Sequence, residues 1–72
     1  MYRVHMVTIK KEDLPEAMQI VMAHERDFDK ISLNESTDSD GAALATFSFS
    51  PYLAKDVEHI KHEFKLAGIQ IM

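Results

Sequence analysis

KISLNESTDSDGAALATFSF, residues 30–49, reads as a β-hairpin, and that reading decides the fold. Residues 30–35 alternate apolar and polar and turn Ile31 and Leu33 to one side, the period of a half-buried strand at the edge of a sheet. Residues 36–41 (STDSDG) are a run of turn formers. Their short polar side chains bond nearby backbone, and Gly41 accepts a left-handed conformation. Residues 43–49 alternate again, with Ala45, Phe47 and Phe49 on one face and Leu44, Thr46 and Ser48 on the other.

Outward from the hairpin, each flank supplies a helix and then a strand. Upstream, residues 2–9 (YRVHMVTI) are rich in β-branched and aromatic side chains. Val4 and Met6 fall on one face and Val7 and Ile9 on the other, a pattern that predicts a central strand rather than an edge. Lys10-Lys11-Glu12-Asp13 breaks the pattern, and Pro15 then suits a first helical turn, where its missing N–H leaves nothing unpaired. Glu12, Asp13 and Glu16 complement the positive end of that helix. Leu14, Ala17, Met18, Val21 and Phe28 make its buried stripe, and the helix is expected to end near Asp27.

Downstream, Ser50-Pro51 predicts a helix start, with the hydroxyl as N-cap and proline at the first position. Leu53, Val57, Ile60, Phe64 and Ala67 then form an apolar seam. Gly68 supplies a left-handed stop that brings Ile69 against Phe64, and residues 69–72 form a short last strand. The expected fold class is therefore α+β, a ferredoxin-like β-α-β-β-α-β two-layer sandwich. It has an antiparallel four-stranded sheet, two helices on one face, and the first and third strands at the centre.

Composition bounds what such a chain does. Residues 1–72 make a single α+β domain, and 46% apolar content is too high for disorder. No cysteine is present, which excludes a disulfide, a thiolate metal site and a redox pair. A chain this small buries only about 60% of its unfolded surface, so a homodimer is a reasonable expectation. Arg3, His5 and Lys10 interrupt the apolar residues of the N-terminus, unlike a signal peptide, and no apolar run is long enough to span a membrane. A cytoplasmic location without membrane contact is expected.

The net charge of −4 is localised. Glu25, Asp27, Asp29, Glu35, Asp38 and Asp40 face only Arg26 and Lys30 within residues 25–40, while the flanking segments balance to zero. Direct binding of nucleic acid demands clustered Lys and Arg and is not expected.

The remaining motifs read more simply as surface. His59 and His62, in EHIKHE, share a helix side but lack third and fourth metal ligands. Asp38-Ser39-Asp40-Gly41 fails as a calcium loop because its twelfth position is Phe47 where a bidentate Glu is required. His24, Glu25 and Asp27 offer a carboxylate–imidazole cluster, but no serine or cysteine stands in a nucleophile setting. Phe47 and Phe49 lack the basic and glycine residues of an RNA-stacking strand and belong to the core. No catalytic residue, cofactor or metal is therefore expected.

The sequence thus predicts a small non-enzymatic, acidic, protein-binding domain, a regulator, adaptor or inhibitor that docks on another macromolecule. Its candidate contact residues are Glu25, Asp27, Asp29, Asp38 and Asp40, facing a protein with a basic surface. The alternative surface is the sheet face around Leu44, Thr46 and Ser48. Two further readings are a small-molecule-sensing regulatory domain using a dimer cleft, and an acidic decoy that inhibits a nucleic-acid-binding protein. Glycine-poor loops count against the first of these, and the localised charge favours the second.

Overall fold

A computed structural model describes residues 3–72; Tyr2, in the expected opening strand, lies outside them. The chain runs β1 (His5–Lys10), a 3-10 turn (Lys11–Asp13), α1 (Leu14–Ala23), a second 3-10 turn (Glu25–Asp27), β2 (Phe28–Thr37), β3 (Ala43–Pro51) and α2 (Lys55–Leu66). The sheet is antiparallel with order β1-β3-β2. It is three-stranded, which corrects the expected four-stranded sheet with two helices on one face.

The reason lies beyond α2. Ile69 spends its N–H on the Phe64 carbonyl at the helix stop and its side chain on the core, 4% exposed, so pairing falls to the residues after it. They make a single bridge from Ile71 to Ile9 and one bond from the Met72 N–H to the Thr8 carbonyl at 2.8 Å. β3 is accordingly the central strand, and β1 flanks it instead of sharing the centre. β1 begins only at His5, so Val4 precedes it and is 60% exposed, and Met6 on the strand's other side is 70% exposed.

The hairpin stands as its alternation requires. β2 pairs with β3 from Phe28 opposite Pro51 to Thr37 opposite Ala43, so β2 is longer at both ends than residues 30–35. The connecting turn is held by the Asp38 carboxylate, whose Oδ1 accepts the N–H groups of Asp40 (2.8 Å) and Ala42 (2.9 Å). Gly41 takes φ 84° there, a conformation that a side chain would strain.

Val7 and Ile9 from β1, Ala45, Phe47 and Phe49 from β3, Ala17 and Val21 from α1, and Val57, Ile60 and Phe64 from α2 form one buried cluster. Phe47 and Phe49 stack with ring centroids 5.7 Å apart, and Phe28 and Phe64 tilt against them at 4.9 and 6.1 Å. Each such side chain contributes about 1.5–3 kcal/mol on burial.

Both helix boundaries differ from expectation. α1 stops at Ala23 rather than near Asp27, because the chain must unwind through residues 25–27 to deliver Phe28 into the sheet. Phe28 is buried as a strand residue, not as part of a helical stripe. Ser50 and Pro51 end β3 instead of opening α2, and buried Pro51 sits opposite Phe28 at the ladder's last rung. A terminal rung is where proline's missing donor is tolerated. α2 begins three residues beyond Tyr52, so Leu53 is 56% exposed, and Ala67 is exposed too.

The stop of α2 follows its sequence. Gly68 has φ 81°, its N–H bonds the Lys65 carbonyl, and the Ile69 N–H bonds the Phe64 carbonyl at 2.9 Å. No helix among the described residues is long and apolar enough to cross a membrane.

Candidate functional site

The five acidic candidates do not converge. Glu25 and Asp27 lie in the turn that enters β2, and Asp29 lies in a bulge between Phe28 and Lys30. Asp38 and Asp40 lie in the turn that leaves it. Ten residues of extended strand separate the groups, about 30 Å at ~3.3 Å per residue, in a molecule 35 Å long. Charges screened over about 8 Å do not act together at that distance. Two of the five are also engaged within the fold: Asp38 holds its turn, and Asp27 meets Nδ1 of His24 at 3.4 Å.

The sheet face away from the core is of another kind. Backbone register places Met6, Ser48 and Ser32 in one row across the strands, Thr8, Thr46 and Asn34 in the next, and Lys10, Leu44 and Ser36 in a third. Leu44, Thr46 and Ser48 are half-buried, and the Thr8 and Thr46 hydroxyls share a hydrogen bond of 2.8 Å. No carboxylate occurs in these rows, and the cations Lys10 and Lys30 stand at corners. The result is a hydroxyl-rich surface with one amide, Asn34, and with Met6 70% exposed on it.

A third feature was not foreseen. An open groove of about 670 Å³ lies between α1 and β2, with Met18, Met22, Phe28, Ile31, Leu33 and Tyr52 among its walls. Ile31 and Leu33 point to the core side, as alternation predicts, but Ile31 is only half-buried and Leu33 is 40% exposed. They sit at the sheet edge, where neither helix fully covers them. The signal available in sequence was the apolar pair on a strand already read as an edge.

Of the candidate histidines, His24 has a partner at each ring nitrogen. His24 lies between Asp27, facing Nδ1, and Glu63 of α2, bonded at Nε2. Glu63 was not among the cluster read from sequence, because 39 residues separate it from His24. Glu25, which was, is exposed. The two carboxylates approach opposite nitrogens of the ring, so they clamp it instead of converging on a common ion. His59 and His62 are both exposed, and His59 Nδ1 lies 3.9 Å from Asp56. Among the described residues no three His, Asp or Glu side chains are grouped to hold a metal. Among those residues no buried side chain is polar or charged, and no buried side-chain polar atom lacks a partner. What the arrangement offers is contact surface.

Compared with protein-family models, curated proteins and solved structures, the chain matches none.

Proposed function

We propose that this chain is a non-enzymatic, cytoplasmic protein-binding domain. It docks through the sheet face around Leu44, Thr46 and Ser48, and acts as a regulator, adaptor or inhibitor. The observation that supports this most is the absence of carboxylates from the rows of that face, in a chain whose net charge is −4. Hydroxyls and amides lose far less on desolvation than ions, and they bond readily to a partner's polar groups. Met6 and Leu44 add apolar area.

The acidic residues at the two ends of β2 flank this face and serve to orient an approaching chain, raising its association rate more than its affinity. Their separation weakens the decoy reading, which needs a continuous acidic stripe. The groove between α1 and β2 has the volume of a small-molecule site, but it is open along the edge of the sheet.

The test is comparative capture from the native host with three baits. The parent and Glu25→Lys/Asp40→Lys, which changes two exposed acids at opposite ends of β2, should retain the same protein, and Met6→Arg/Ser48→Arg should lose it while keeping the parent's melting temperature. Loss with the acid-to-lysine pair and retention with the arginine pair would move the docking site to the charged ends.

A further inference from the structure

We infer that two copies of this chain pair through the outer edge of β2, antiparallel, about a two-fold axis beside Ser32. β2 is ten residues long and, among the described residues, bonds only β3, so its outer backbone groups have no strand partner there. The opposite edge of the sheet is partly closed, because Ile71 and Met72 reach back to β1. Long open edges recruit another strand unless they are blunted. The bulge before Lys30 blunts only the first two residues of β2, and residues 30–36 remain regular.

The sequence of β2 fits itself. A two-fold axis normal to the sheet keeps the core face of both copies on one side, so each residue meets one of the same parity. With Ser32 opposite Ser32, Ile31 of each copy meets Leu33 of the other, giving two apolar cross-strand pairs on the core side. Lys30 then meets Asn34 on the open side. Centring on Leu33 leaves one apolar pair and sets Ile31 against Glu35. The Ser32 register is the better one.

Apolar surface and charge agree with it. Leu33, Met22 and Tyr52 are 40%, 52% and 54% exposed and line the same groove, and the two-fold joins that groove to its copy along the seam. At each end of the seam Asp29 of one copy falls opposite Glu35 of the other, a like-charge pair. Lys30 beside Asp29, and Lys11 at 3.3 Å from Glu35, offset it with two charges of the opposite sign.

Size also argues for a second copy. Three strands at ~4.8 Å spacing and about eight residues at ~3.3 Å offer roughly 400 Å² of flat face. A stable interface takes about 800 Å² per partner, which a continuous six-stranded face supplies and a single sheet does not. This last argument rests on the docking reading; the edge pairing itself does not.

The purified full chain tests the pairing. Analytical ultracentrifugation should find twice the chain mass of 8.2 kDa. Because the chain has no cysteine, Ser32→Cys gives only an inter-copy crosslink. Directly opposed residues lie about 4.5–5.5 Å apart at Cα, within disulfide reach. Ser32→Cys should therefore crosslink nearly completely under mild oxidation, and Met6→Cys should not. Leu33→Lys, which leaves the open face untouched, should give a folded monomer. A chain that stays at 8.2 kDa well above micromolar concentration overturns the pairing. So does a dimer that crosslinks through Met6→Cys and not Ser32→Cys, whether or not Leu33→Lys folds. Neither result touches the docking reading, whose readout is capture by the open-face variants.

Discussion

Phe64 is where the sequence pattern and the packing make the same claim, and its removal puts a number on both. The ring is fully buried, tilts against Phe47 with centroids 6.1 Å apart, and stands at the α2 stop that brings Ile69 into the core. Phe64→Ala deletes a ring that no neighbour replaces, at a cost of about 3–5 kcal/mol for lost transfer energy and the cavity together. A 72-residue chain at about 0.05–0.15 kcal/mol per residue has only some 4–11 kcal/mol in total. A quarter or more of the stability goes with one side chain. At about 4–8 °C per kcal/mol for a domain of this size, the melting temperature falls by at least about 12 °C. The assay is thermal unfolding followed by far-UV circular dichroism, with Leu66→Ala as reference. Leu66 occupies the same helix but is 74% exposed, and its truncation should change stability by no more than about 0.5 kcal/mol. A Phe64→Ala protein melting within about 4 °C of the parent refutes the packing of α2 on β3.

Gly68→Ala should destabilise by about 1–2 kcal/mol through backbone strain alone, since φ is 81° and no atom lies within 4 Å of the added Cβ; urea titration measures it, and a neutral result would show that α2 ends otherwise. A double-mutant cycle on His24→Ala and Glu63→Gln should give a coupling of about 0.5–1 kcal/mol at neutral pH, because the pair joins the end of α1 to α2. Additive single effects would mean that the clamp contributes nothing. Isothermal titration with Zn²⁺ should find no submicromolar stoichiometric binding at His59 and His62, since two exposed ligands leave the coordination shell incomplete; tight binding lost in His62→Ala would contradict this.

Local pattern carried the elements far better than it carried their neighbours. Alternation in residues 30–49 gave the hairpin and the inward faces of Phe47 and Phe49, because side chains alternate on a strand whatever lies around it. The Gly68 stop was equally legible, because a left-handed residue and the two bonds that follow it are local geometry. Ser50-Pro51 misled for the opposite reason: the same dipeptide serves as a helix start or as the last rung of a strand, and only the position of Phe28 across the ladder decides.

What lay beyond the sequence was spatial. The −4 of residues 25–40 was read as one patch, yet a ten-residue strand holds its parts at opposite ends. Chain proximity says little about distance once a segment is extended. The fourth strand was expected from element order, but whether residues 69–72 pair fully depends on how much of them the core takes first, and it takes Ile69. Glu63 meets His24, and Leu33 and Met22 share a groove, through packing between segments far apart in the chain. By itself, then, the sequence determined the hairpin, the inward faces of its second strand and the Gly68 stop, because those follow from each residue's own backbone and its nearest neighbours. Only the tertiary structure decided which edge of the sheet is open and which charges stand together, because those depend on how distant segments compete for the same core.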